Sequence, residues 1–208
     1  MARSIFFSFH YQDVSSFRAN VVRNSWVTME NTAKFIDGSL WEEAQRKGVN
    51  ELKNLIEKSL KGTSVTVVLI GTETYTRRWV KYEIVKSFVE GKGILPIYIN
   101  RIPSKNESIT VKGLNPLDRI LVDVSPDCRT LNFYELVDRK WIPFKDLQSD
   151  NNRTTNSFYF ENGWFSKQKG GKSYKFSDLF GSGYDWVTDD GYKNFSRWIE
   201  AAAKKVGR

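Results

Sequence analysis

Apolar residues along the chain fall into two kinds of pattern. Short uninterrupted runs, Ser4 to Phe9 (SIFFSF), Ser64 to Gly71 (SVTVVLIG) and Gly93 to Asn100 (GILPIYIN), have the length and apolar content of strands buried on both faces. Between the runs, apolar positions recur at helical spacing: Val14, Phe17, Val21 and Trp26; then Leu52, Leu55, Ile56 and Leu60; then Val80, Ile84 and Phe88. Asp13 stands where the first of these helices needs a cap, and Gly62 stands where the second must end. A brief strand-like piece, Lys34 to Asp37, precedes the helical GSLWEEAQRK, and Pro96 puts the third run near a sheet edge or a bulge. Alternating β and α elements of these lengths predict an α/β fold, a doubly wound parallel sheet with right-handed crossovers.

The alternation stops at Asn100. Residues 101–148 hold strand-like segments (RILVDV, RTLNFYEL, RKWIPF) separated by Pro/Asp turns, and 151–183 is rich in Asn, Ser, Gly, Lys and aromatic residues. The last segment, DDGYKNFSRWIEAAAKKV, places Phe195, Trp198, Ile199 and Ala202 on one face, with acidic residues at its start and basic ones at its end. The expected organisation is one domain over 1–208: a core α/β sheet (1–100), a strand and loop elaboration (101–185) and a C-terminal docking helix (186–208).

In such sheets ligands gather beyond the carboxyl ends of the strands. Three segments meet there: Ser8 to Tyr11 after the first strand, Asp37 after the short second one, and GTETYTRRW leading from Gly71 into the helix of Val80. On that helix Glu83 flanks the apolar stripe, with Trp79 one turn before it and Tyr82 about 100° around from it. Periodicity leaves Glu83 either as a solvated helix carboxylate or as a group aimed into a pocket. Ser8 reads equally as a satisfied core hydroxyl, Asp37 as an Asp-Gly turn, and Arg77 and Arg78 as a solvated face or as phosphate contacts.

Composition narrows the chemistry. With 208 residues, 40% hydrophobic and 14% aromatic, the chain can bury a full core. The 32 Lys and Arg against 24 Asp and Glu give +8, which favours an anionic partner. One cysteine (Cys128, in the turn-like SPDCRTL) and one histidine (His10) are too few for a Cys/His zinc site, so no metal is expected. No Walker-type loop or G-x-S-x-G elbow occurs. The lysines Lys167, Lys169, Lys172 and Lys175 among aromatics read as solubilising a loop more than as a nucleic-acid surface. No run approaches the roughly 20 apolar residues of a membrane span, and the first residues are too short an apolar run for a signal peptide; a reducing cytoplasmic compartment is expected.

The quoted segments carry a resemblance. IFFSFHYQD, KFIDGSLWE, SVTVVLIG and RRWVKYEI occur in the order and rough spacing of the TIR (Toll and interleukin receptor) domain, with Trp79, Val80, Glu83 and Ile84 fitting its W-V-x-x-E-I helix. More narrowly, FFSFHYQDV, VVRNSWV, SLWEEA and YDWVTDDGYKNFSRWI resemble the TIR proteins of the Thoeris bacterial anti-phage defence system. The resemblance implies a flavodoxin-like sheet of about five strands and an enzyme that consumes NAD+ as substrate, with no other cofactor. It would cleave the nicotinamide–ribose bond and make a cyclic ADP-ribose isomer during phage infection. That signal would activate a partner effector, and a phage-derived trigger would start it. Glu83 would be the catalytic carboxylate, and Ser8, Phe9, His10, Asp37, Trp79 and Tyr82 would bind the substrate. DGSLWEEAQ lacks the longer Gly-rich loop of many TIR domains.

Nicotinamide in NAD+ is already a cationic leaving group, so one carboxylate suffices where an ordinary glycoside needs two. Placed against the ribose hydroxyls, Glu83 would stabilise an oxocarbenium-like transition state, while Phe9, Tyr11, Trp79 and Tyr82 keep the site dry. Two other readings stay open at this point: a non-catalytic TIR-like interaction module, and a protein that binds nucleotide or nucleic acid without turnover.

Overall fold

A computed structural model describes residues 3–10, 17–27, 33–104, 109–151 and 170–208. In chain order, β1 (Ile5–Ser8), α1 (Arg18–Val27), β2 (Ala33–Lys34), α2 (Gly38–Lys47), α3 (Val49–Leu60), β3 (Val65–Ile70), α4 (Arg78–Val89) and β4 (Gly93–Tyr98) build the α/β part. Then follow β5 (Ile120–Val124), β6 (Thr130–Val137), β7 (Lys140–Pro143), β8 (Ser149–Asn151), β9 (Lys172–Lys175), the short α5 (Phe176–Phe180), β10 (Tyr184–Asp185) and α6 (Gly191–Lys205).

The first sheet is parallel throughout, in the order β10-β4-β3-β1-β2, with Phe6 opposite Thr66 and Val67 opposite Leu95. Every residue of β3 is buried, as its unbroken apolar run predicts for the central strand. The two-residue period sends alternate side chains to opposite faces. Ile5, Phe7, Val67 and Leu69 meet α1 and α6 through Ala19, Val22, Phe195 and Ile199, while Phe6, Val68 and Ile70 meet α3 and α4 through Ile56, Leu60, Ile84 and Phe88.

Three details differ from the sequence reading. The strand expected over Lys34 to Asp37 is only Ala33–Lys34, because Asp37 is taken as the N-cap of α2. The final parallel strand is supplied from beyond the elaboration. β10 pairs with β4 through Ile97 and Tyr98, starting one residue after Pro96, so the antiparallel strands form an insertion between the fourth and fifth strands of the sheet. Finally, α4 carries more than one apolar stripe: Val80 to Val85 and Ser87 to Val89 are all buried.

The insertion explains the third difference. Its antiparallel sheet runs β7-β6-β5-β9, with β8 also on β6, and turns Val122, Val124, Leu131 and Phe133 toward α4. Phe88 lies 4.8 Å from Phe176 and 6.0 Å from Phe133, ring centre to ring centre. So α4 is held between two sheets, and a helix covered on both sides shows no single stripe. Lys81 Nζ donates to Glu135 Oε2 at 2.6 Å, tying the helix to β6. On the other side the Thr66 hydroxyl lies 2.7 Å from that of Ser87, which donates to the Glu83 carbonyl and fixes the helix on β3. At the far face α6 closes on β4 at Gly93, where a Cβ would stand 2.5 Å from the Ala202 carbonyl oxygen. Asp13, Val14, Tyr11, Phe165, Lys167 and Lys169 lie outside the described residues.

Candidate active site

Beyond the carboxyl end of β1 lies a cavity of about 380 Å³. Phe7, Phe9 and His10 enter it from β1 and its continuation, Ile36 and Gly38 from the segment after β2, Trp41 and Gln45 from α2, and Arg77 to Val80 with Glu83 from the start of α4.

Glu83 is 6% exposed and faces the cavity from the inner side of α4. Ser8 is its partner: the last residue of β1, it shares the α4-facing side with Phe6, and its Oγ donates to Glu83 Oε2 at 2.5 Å. Burial pushes the Glu83 carboxyl up to about 8, while the Ser8 hydrogen bond pulls the other way. At neutral pH this carboxyl is therefore mostly protonated in the free protein and is poised to ionise when a cation arrives beside it.

The surrounding wall is aromatic and cationic. Trp79 meets Trp41 edge-to-face, with ring centres 6.2 Å apart, and Arg78 lies over the Trp79 ring at 4.6 Å. Arg78 is also gripped by Asp146, which follows β7 and accepts from its Nε–H at 2.8 Å and its Nη2–H at 2.7 Å. Arg77 pairs with Glu73 one turn earlier. Burial, and then the Arg77 cation, hold the His10 imidazole below its ordinary value, so it is neutral at pH 7.

Of the residues singled out in the sequence, Phe9, His10, Trp79 and Glu83 line the cavity, and Ser8 reaches it through Glu83. Asp37 and Tyr82 are not brought in. Asp37 spends its carboxylate on Ser39, accepting from the backbone N–H at 2.9 Å and the hydroxyl at 2.5 Å, and these bonds hold it below the usual carboxylate range. Tyr82, the predicted 100° from Glu83, turns toward α3 and donates to Glu57 Oε1 at 2.7 Å. Phe7, Ile36, Trp41 and Gln45 were not singled out. The signal available for the last two was their i, i+4 spacing on a helix that opens directly beyond a strand's carboxyl end.

The family model of the Thoeris protein ThsB, TIR-like domain, matches residues 6–104, a span holding all of these groups except Asp146. A protein of Bacillus cereus (strain MSX-D12), named "Putative cyclic ADP-D-ribose synthase ThsB1", is 45% identical over 201 residues, covering 96% of this chain and 100% of that protein. The chain belongs to the Thoeris ThsB family of TIR-like proteins. Its similarity to this relative continues through the inserted sheet and α6, well past the part matched by the TIR-like model. Among the described residues no group of His, Cys, Asp and Glu is arranged to hold a metal, and no helix is long and apolar enough to cross a membrane.

Proposed function

We propose that this ThsB-family chain consumes NAD+, cleaving the nicotinamide–ribose bond and joining the ADP-ribose to itself as a cyclic isomer. The observation that carries the reading is Glu83: a carboxyl buried at a cavity wall, hydrogen-bonded by Ser8 and surrounded by the rings of Phe9, Trp41 and Trp79. The name of the 45% identical relative, which covers nearly the whole chain, supports the same chemistry.

The cation of the bound nicotinamide stabilises the ionised form of Glu83, and the carboxylate then faces the ribose. The bond from ribose C1′ to nicotinamide breaks with its electron pair going to nicotinamide, which leaves neutral. Positive charge moves onto the ribose, where Glu83 stabilises it at short range in a site of low dielectric. A nucleophilic atom of the same ADP-ribose closes on C1′ and gives up a proton if it carries one. The aromatic wall keeps water from capturing the cation first. Ser8 positions the carboxylate, Phe9 and Trp79 pack on the substrate rings, and neutral His10 donates or accepts a hydrogen bond without adding charge. Asp37 and Tyr82 act at one remove, Asp37 by fixing the start of α2 and Tyr82 by joining α4 to α3.

In this reading the product is a diffusible signal made in the cytoplasm in response to a phage-derived trigger, and it acts on a separate effector. The test is nicotinamide release from NAD+ by the purified chain in an extract of phage-infected cells, which supplies any trigger. Glu83→Gln should lower the rate by at least about 100-fold with the fold intact. Equal release by both proteins would remove the catalytic reading.

A further inference from the structure

Two arginines stand side by side on the cavity wall, and their surroundings differ. Arg78 is occupied: its guanidinium makes the two-pronged contact with Asp146, whose side chain is only 4% exposed and also holds Lys53 at 3.3 Å. Its guanidinium also lies over the Trp79 ring, and about half of the side chain stays exposed, at 53%. Arg77 is paired at one terminal nitrogen with Glu73, which is more than half exposed. Its Nε–H is buried and has no hydrogen-bond partner among the described residues. A buried cationic N–H without an acceptor is costly, and an acceptor supplied by a ligand removes that cost.

The chemistry of the wall specifies the acceptor. Next to Arg77 stands neutral His10, and among the described residues the one carboxyl lining the cavity is that of Glu83, which burial pushes up to about 8, so at neutral pH the described wall meets an anion with cationic and neutral groups. Arginine recognises phosphate oxygens through its planar fork. We infer that Arg77, through its free Nε–H, binds the diphosphate of the substrate, while Asp146 holds Arg78 out of that role and against Trp79. This rests on the proposed use of NAD+ and adds a division of labour between the arginines. It also gives the inserted sheet a part in the site, because Asp146 lies on the segment that follows β7.

The test is calorimetric binding to the Glu83→Gln protein, which does not consume the ligand, with two probes: NAD+, and nicotinamide riboside, which lacks phosphate. Adding Arg77→Gln should weaken NAD+ about tenfold, the loss of a charge-assisted hydrogen bond, and leave nicotinamide riboside within about twofold. Arg77→Lys should recover part of the loss, since charge returns without the fork. Adding Arg78→Gln should weaken both probes to a similar degree by loosening Trp79. The inference is overturned if Arg77→Gln leaves NAD+ affinity unchanged, if it weakens both probes equally, or if Arg78→Gln gives the phosphate-selective loss. Failure of the parent protein to bind either probe would overturn the NAD+ reading together with this one.

Discussion

Ser8 and Glu83 meet because two periodicities coincide: the alternation of β1 turns Ser8 toward α4, and the helical turn brings Glu83 onto the same line. Burial pushes the carboxyl up to about 8, so the role proposed for Glu83 ties activity to pH. If the ionised form acts, kcat/KM should rise with pH and level off above about 8, a profile readable from initial rates. Ser8→Ala removes the bond that favours ionisation, so its profile should move to higher pH, with about a tenfold loss near neutrality that shrinks in alkali. Stability should run the other way. The folded protein holds the Glu83 proton to higher pH than the unfolded chain, so stability is fully present below the ordinary value of 4.5 and is lost as pH rises toward 8. Glu83→Gln should therefore melt several degrees above the parent at pH 8, and the gap should close near pH 5. At this scale the W-V-x-x-E context marked Glu83, which the structure places buried at the cavity wall. The sequence could not disclose that Tyr82 turns to Glu57, because that depends on how two helices pack, whereas the capping role of Asp37 is local, resting on Ser39 two residues on, and follows the N-cap rule.

At the scale of elements, α4 is the hinge of the account. The sequence pattern predicts it correctly as a helix but shows only the stripe of Val80, Ile84 and Phe88. What covers the opposite side comes from strands that begin only at Ile120, well past the end of the helix at Val89, and no local period reveals it. The link between Lys81 and Glu135 is nearly buried, with side chains 11% and 13% exposed, so removing one partner leaves the other uncompensated. Glu135→Ala should cost about 3 kcal/mol, a fall in Tm of roughly 6 °C or more by calorimetry. At the opposite face the contact of Gly93 with Ala202 is against backbone, which cannot rotate away. Gly93→Ala should force α6 off β4 and lower Tm by several degrees, where a surface Gly→Ala would be nearly neutral.

Across the whole molecule, the order β10-β4-β3-β1-β2 puts β3 at the centre with β1 beside it, and the cavity opens beyond the carboxyl end of β1, where a doubly wound sheet is expected to hold ligands. The three unbroken apolar runs made this architecture legible. The return of the chain as β10 was not legible, because two residues of strand, Tyr184 and Asp185, carry no periodic signal of their own. The insertion they close encloses α4 and contributes Asp146 to the arginine wall, so the chain builds one site from segments far apart in sequence.

The measurement that bears most directly on the account is mass spectrometry of small molecules from phage-infected cells that express the protein or its Glu83→Gln variant at equal folded levels. A cyclic ADP-ribose species, with matching loss of NAD+, should appear only where Glu83 is intact. The same nucleotide profile in both cultures would contradict the role proposed for Glu83.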